Sequence, residues 1–356
     1  MDANAQEFLF QYLNTPSPTG FESAGQQLWL QYVKPFADDY IIDTYGTAVA
    51  IVNPDAPYKV VIEAHADEIS WFVHYITDDG YIYLKRNGGS DALIAPSMRV
   101  NIWTENGPVK AVFGWPAIHV REVEKESTPK VKDIFLDCGA ATKQEVLDKG
   151  INIGCVATFE DELMELGDKL LCGRALDNRI GGFMIAQVLR RLRTEGKQLP
   201  FGLYVVNSVQ EEIGLRGAEM IANRIKPNVA IVTDVTHDTY SPMYKKIEQG
   251  DIKCGKGPVL TFGPAVQTNL LKLIFAVAAE NNIEVQRIVA SRTTGTDTDA
   301  FAYAAGGIAS ALISLPLKYM HTTVETIAKD DMERVIDLIY HTVLKIDPTM
   351  DFKYFR

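Results

Sequence analysis

A chain of 356 residues is long enough for one large domain or two of medium size, and its core needs no disulfide or metal staple. Hydrophobic residues make up 47% and charged residues 23%, with a mean hydropathy of -0.04, which excludes disordered, fibrous and membrane-spanning classes. Acidic residues outnumber basic ones, 46 to 35, giving a formal charge of -11 and a pI near 5.1, so nucleic acid would meet a repulsive field and is not expected as a partner.

Cys138, Cys155, Cys172 and Cys254 form no C-x-x-C pair, so a zinc knuckle and a thioredoxin-like motif are both absent. Residues 1–11 include Asp2 and Glu7 and lack the basic and apolar regions of a secretory signal; a cytoplasmic location is expected. The most apolar stretches, 270–279 and 301–313, fall short of the ~20 apolar residues of a spanning helix. No membrane role is expected.

Residues 2–14 and 21–36 have helical apolar spacing and flank Thr15-Pro16-Ser17-Pro18-Thr19-Gly20, a cluster of turn formers. Short β-rich runs follow at 40–43 and 47–52, then the apolar run 59–64, which reads as a buried strand. From 69 to about 165 the texture is that of a small β-rich domain, with strand pairs 71–76/81–84 around Asp78-Asp79-Gly80 and 98–103/109–113 around Asn106-Gly107. Helix and strand then alternate: a long helix over 178–194, strands at 201–206 and 229–233 with a helix near 218–224 between them, a helix at 270–281, strands at 283–290 and 308–315, and a helix at 330–345. Such alternation predicts a largely parallel sheet covered on both faces. The expected division is an α/β domain from 1–68 and 166–356, interrupted by an inserted β-rich domain at 69–165.

In open α/β sheets ligands sit beyond the carboxyl ends of strands, and here those ends are acidic and imidazole-bearing. The run 60–64 leads to His65, Asp67 and Glu68; 203–206 to Glu211 and Glu212; 229–233 to Asp234 and His237; 308–315 to His321. Asp177 precedes the long helix. Two His and three carboxylates suit borderline-hard divalent ions such as zinc, cobalt or manganese, and with one carboxylate bridging they serve two ions sharing a water. Of the adjacent pair Glu211 and Glu212, one can be a ligand and the other a base, while Asp67 can orient the His65 ring.

Plainer roles stand beside these. Asp177 also reads as a helix N-cap, Glu211 and Glu212 as acids favouring a helix N-terminus, and His65 or His321 as hydrogen-bonded structural histidines, the class in which His74, His119 and His341 belong. Gly255-Lys256-Gly257 lacks the frame of a phosphate-binding loop, and Asp297-Thr298-Asp299 begins like a calcium loop without the rest.

Segments along the whole chain resemble the M42 metallo-aminopeptidases: 15–22 (TPSPTGFE), 65–69 (HADEI), 175–179 (ALDNR), 210–218 (QEEIGLRGA), 233–237 (TDVTH), 255–258 (GKGP), 295–297 (GTD) and 319–325 (YMHTTVE). The resemblance implies a three-layer α/β/α, zinc-peptidase-like catalytic domain with an inserted β domain. It implies two divalent metal ions, zinc or cobalt, bridged by Asp177, with His65 and Asp234 completing one position and Glu212 and His321 the other. Glu211 would be the general base acting with a metal-bridging hydroxide, and Asp67 would support His65. Short peptides would be the substrates and a homo-oligomer built from dimers, up to a dodecamer, the assembly. Ala66, Ser70 and Asp238 depart from the usual family residues without removing a ligand. A related metal-dependent amidase, a carboxypeptidase or deacylase, is the alternative activity.

Overall fold

The computed structural model describes every residue except Val123, Lys125 and Arg356. Apolar residues at helical spacing form α1 (Ala3–Asn14) and α2 (Ser23–Val33), burying Phe8, Leu9, Tyr12, Trp29 and Leu30. Asp2 caps α1 by accepting the Ala5 N–H at 2.9 Å. After α2 the predicted helix tightens into a 3-10 turn at Lys34–Phe36, where Pro35 cannot continue the hydrogen-bond ladder. Strands β1 (Asp39–Ile42), β2 (Ala48–Val52) and β3 (Lys59–His65) follow.

The chain then leaves the first sheet. Strands β4 (Ser70–Ile76), β5 (Ile82–Asn87), β6 (Arg99–Thr104), β7 (Gly107–Phe113), β8 (Phe135–Asp137) and, after helix α3 (Lys143–Asp148), β9 (Val156–Phe159) close into a barrel in the order β4-β5-β8-β7-β6-β9. Trp71, Val100, Ile102, Phe113 and Leu136 fill it, a core separate from that of the larger sheet.

Returning, the chain adds β10 (Met164–Leu166), β11 (Leu170–Gly173), α4 (Leu176–Thr194), β12 (Gly202–Ser208), α5 (Arg216–Ile225), β13 (Val229–His237) and the short α6 (Lys246–Gln249). It ends with β14 (Val259–Phe262), α7 (Thr268–Glu280), β15 (Gln286–Val289), α8 (Asp297–Tyr303), β16 (Ala309–Lys318), β17 (Glu325–Ala328) and α9 (Lys329–Lys345). Among the described residues eleven strands form one sheet, ordered β1-β2-β12-β3-β13-β16-β17-β11-β10, with β14 and β15 attached beside β16. The central run β12-β3-β13-β16 is parallel, as the alternating pattern predicts. Both flanks are antiparallel, so the whole sheet is mixed; short connections such as those from β1 to β2 and β10 to β11 can join only antiparallel neighbours. Helices α1, α2 and α9 pack with α4, which lies on β3, while α5 and α8 pack together on the opposite face, completing three layers. Among the described residues no helix is long and apolar enough to cross a membrane.

Two features hold the strand ends in place. Fully buried Arg179 donates to the carbonyls of Tyr12, Leu13 and Thr15 at the end of α1, and its guanidinium lies 4.5 Å from the Tyr12 ring centre. Buried Glu68 pairs with Arg174, lies 3.7 Å from Arg179, and accepts the Ser17 N–H at 2.8 Å, so the loop after α1 is locked to the loop after β3. The second feature is the close approach of α4 to β3 at Gly181, where a Cβ would lie 2.8 Å from that of Ala64. Gly181→Ala is therefore expected to destabilise the protein by about 1–3 kcal/mol through overpacking, measured by urea unfolding. Unchanged stability would mean that helix and strand separate there without penalty.

Candidate metal centre

The carboxyl ends of β3, β12, β13 and β16 meet at one edge of the sheet, where His65, Glu211, Glu212, Asp234, His237 and His321 line one cleft with Asp177. Asp67 accepts from the Glu211 and Glu212 N–H groups beside it, whereas Glu68 pairs with Arg174 and takes no place in the cleft. His65, the last residue of β3, places Nε2 at 3.3 Å from Asp177 Oδ1, 3.9 Å from Glu211 Oε2 and 4.0 Å from Asp234 Oδ1. His321 places Nε2 at 3.2 Å from Asp177 Oδ2 and 3.3 Å from Glu212 Oε1. The two oxygens of Asp177 thus face two different imidazoles. Candidate ligand atoms of His65, Asp177 and Glu212 lie within 4.8 Å of one another, as do those of His65, Glu211 and Asp234. Glu211, the expected base, therefore stands as near to His65 as an expected ligand does.

Local backbone explains how neighbouring acids are kept apart. Asp177 is not a simple cap: Ala175 holds the cap position in the left-handed region, Asp177 is extended (φ -81, ψ 111), and its peptide bond to Asn178 is cis. The Asp177 N–H donates to Glu325 Oε2 at 2.9 Å and the His321 N–H to Glu325 Oε1 at 2.7 Å, so one buried carboxylate aligns the backbones of an acid and an imidazole of the centre. Asn178 Nδ2 donates to the Thr233 carbonyl at 2.7 Å, tying this segment to β13 beside Asp234. Glu211 and Glu212 sit in a 3-10 turn after left-handed Gln210. Their N–H groups donate to Asp67 Oδ1 at 2.9 Å and Oδ2 at 3.2 Å, and Thr19 Oγ1 also donates to Oδ2, at 2.9 Å. His65 Nδ1 lies 3.2 Å from the Asp67 carbonyl and 3.3 Å from its Oδ1. The barrel also reaches the centre: a Cβ on Gly89, just after β5, would lie 2.5 Å from His321 Nδ1.

Electrostatics follow from burial of so many acids. Burial pushes Glu211 up to about 10, with Asp234, Asp297 and Glu212 adding to the rise against the pull of His65. Burial likewise raises Asp234 well above the carboxylate range and raises Glu212, each with Asp177 contributing. Asp177 goes the other way: burial opposes ionisation, but hydrogen bonds from His321 and His65 hold it below the usual value. Burial would lower the two imidazoles, yet Glu211, Asp177 and Asp67 raise His65 well above its ordinary value, and Asp177 and Glu212 lift His321 to about 11. The carboxylates demand positive charge, and two imidazoles with buried carboxylates are the donor set that borderline-hard divalent ions prefer.

Four contributors, Ser208, Glu63, Asp297 and Glu325, escaped the sequence reading of the site. Ser208 Oγ lies 2.5 Å from Glu63 Oε1 and 2.6 Å from Asp297 Oδ2, forming a buried polar layer beneath the centre. Glu63 had a signal, a lone acid inside an apolar strand; Asp297 stands in the triplet set aside as an incomplete calcium loop. Glu325 belongs to a quoted family segment but received no role. His237 lines the same cleft of about 600 Å³ as the six acid and imidazole side chains. A second cavity of about 660 Å³, between Phe21 and the barrel residue Trp103, holds none of them.

Comparison with known proteins agrees with this architecture. The lysyl aminopeptidase of Pyrococcus furiosus is 32% identical over 351 residues, covering 97% of this chain and 98% of that protein. A TET aminopeptidase from the marine sediment archaeon Thaumarchaeota archaeon SCGC AB-539-E09 has a TM-score of 0.92 at 26% identity, covering 97% of both chains. The TET1 peptidase of Pyrococcus horikoshii, which can assemble into a tetrahedron or a large octahedral shell, has a TM-score of 0.84 at 28% identity, covering 95% of this chain and 99% of that one. The fold and these relatives define a peptide hydrolase of the aminopeptidase class. Residues 46–338 match M42 glutamyl aminopeptidase, and the chain belongs to that family. It is the family whose resemblance the sequence segments carry, and it is metal-dependent.

Glu325→Ala is expected to weaken metal affinity by about 10–100-fold, because the Asp177 and His321 backbones lose their common anchor. Metal titration followed by calorimetry checks it; unchanged affinity would make Glu325 a structural residue only.

Proposed function

We propose that the chain is a dinuclear metal-dependent aminopeptidase that removes N-terminal residues from short peptides. The observation that carries this reading is the division of Asp177 between the two imidazoles, one oxygen 3.3 Å from His65 and the other 3.2 Å from His321. His65, Asp177 and Asp234 would hold one ion, and Asp177, Glu212 and His321 the second, zinc or cobalt in each case. Two such ions, when bound, polarise an amide carbonyl and acidify water near neutral pH.

The chain's own residues handle the proton and the geometry. Glu211 takes the proton of the attacking water and returns it to the nitrogen of the departing peptide, a task open to a carboxylate whose side chain accepts no hydrogen bond among the described residues. Asp67 orients the His65 ring and carries the backbone of Glu211 and Glu212. The acid-lined cleft attracts the ammonium of a free N-terminus. The same reading takes 1–68 and 166–356 as the catalytic domain, 69–165 as an insert governing access or pairing of subunits, a cytoplasmic location, and a dimer-based homo-oligomer of up to twelve copies. Shell-forming TET1 of Pyrococcus horikoshii supports the assembly.

Glu211→Gln is expected to retain bound metal while losing about 10²–10⁴-fold in kcat, and near-normal turnover would remove the base assignment. Asp177→Ala is expected to lose both ions together; elemental analysis finding two ions per chain in that variant would refute bridging. Chelation should abolish hydrolysis of aminoacyl anilides, with cobalt or zinc restoring it, and N-acetylated peptides should remain intact. Cleavage of the acetylated peptides would redirect the assignment to another amide.

A further inference from the structure

The cleft is wider than the centre: Leu215, Val235, Thr236, Thr294, Asp299 and Met320 line part of it beyond the proposed ligands and base. None of the described residues lining it is Lys or Arg. His237 is the imidazole there outside the proposed ligand set, and burial pulls it below its ordinary value, which disfavours its charged form.

Asp299 is the one carboxylate lining the cleft that belongs to neither the proposed ligands nor the base. It sits in the first turn of α8, and the backbone fixes it from one side only. The Thr294 N–H donates to Oδ1 at 3.1 Å and Oδ2 at 2.9 Å, and the Gly295 N–H donates to Oδ2 at 3.1 Å. Among the described residues it has no Lys, Arg or His ion-pair partner. Neutral donors hold the anion in place without neutralising it, so its charge is left for whatever enters the cleft.

A substrate side chain that fits these walls needs an apolar stem to lie along Leu215, Val235 and Met320 and a cationic tip to meet Asp299. Lys and Arg are built in that way. A Glu or Asp side chain would meet a like charge and find no cation, which rejects it. Resting on the aminopeptidase reading above, we infer that Asp299 determines specificity, and that the cleft selects short peptides beginning with Lys or Arg over those beginning with Glu or Asp.

The test uses metal-loaded full-length protein and the p-nitroanilides of Lys, Arg, Leu and Glu. For the unaltered protein, kcat/KM with Lys and Arg should exceed that with Glu by roughly 100-fold. Asp299→Asn keeps the shape and one acceptor oxygen; it should lower kcat/KM for Lys and Arg by roughly 10- to 100-fold, with Leu changed by less than about threefold. Asp299→Lys should turn the preference toward Glu. The Leu substrate reports any general damage, so a loss falling equally on Lys and Leu overturns the assignment, as does a preference of the unaltered protein for Glu. Turnover of Leu without preference for a basic residue sinks this inference alone. A loaded protein that cleaves none of the four overturns both it and the reading on which it rests.

Discussion

Four carboxylates, those of Asp177, Glu211, Glu212 and Asp234, converge on a space where, among the described residues, the imidazoles of His65 and His321 are the basic groups paired with them. Each buried acid raises its neighbours' affinity for protons, so the arrangement is costly without added positive charge. Holding such groups within a few ångströms of one another requires a scaffold that cannot relax away from the repulsion. Parallel strands supply it. Four strand ends at one edge point their following loops into a common space, and backbone N–H groups then pin the acids through Asp67 and Glu325.

The rest of the fold reads as reinforcement of that edge. Gly181 lets α4 lie against β3, whose last residue is His65. The turn-rich segment after α1 looks like a connector, yet Ser17 and Thr19 donate to Glu68 and Asp67, and Arg179 ties its start to α4. The barrel leaves the sheet just beyond those two acids and returns contact at the other end of the centre. Asn87, the last residue of β5, donates to the Thr19 carbonyl at 2.8 Å, and the absence of a side chain at Gly89 makes room for His321. Barrel position and imidazole position are therefore mechanically linked.

Sequence alone revealed what depends on local pattern. The apolar runs at 59–64, 229–233 and 308–315 locate β3, β13 and β16, and of the acids and histidines that follow them His65, Asp234, His237 and His321 line the centre, while Glu68 serves an ion pair with Arg174 instead. Strands β14 and β17, four residues each, escaped, although the equally short β1 and β15 did not. The antiparallel flanks escaped because pairing direction is fixed by connection geometry across the sheet. Glu325 escaped for a related reason: its two donors, Asp177 and His321, lie 148 and four residues away, and nothing around Glu325 itself announces a partner so distant. Glu63 and Asp297 share a side-chain hydrogen bond and both lie at hydrogen-bond distance from the Ser208 hydroxyl, from which they are separated by 145 and 89 residues.

The hydrogen-bond partners of the acids also separate their roles. Both oxygens of Asp67 are engaged by backbone N–H groups and a threonine hydroxyl, and both oxygens of Glu325 by backbone N–H groups, which leaves these two as organisers rather than proton carriers. Asp177 spends one oxygen on each imidazole, Glu212 faces His321, and Asp234 Oδ1 accepts the Val235 N–H at 2.7 Å. Glu211 differs: its backbone is anchored, but among the described residues its carboxylate accepts no hydrogen bond, and its nearest basic group is His65 Nε2 at 3.9 Å. An acid held at its root and free at its tip can gain and release a proton without disturbing the scaffold. That freedom, more than proximity, is what favours Glu211 over its neighbour Glu212 as the proposed base.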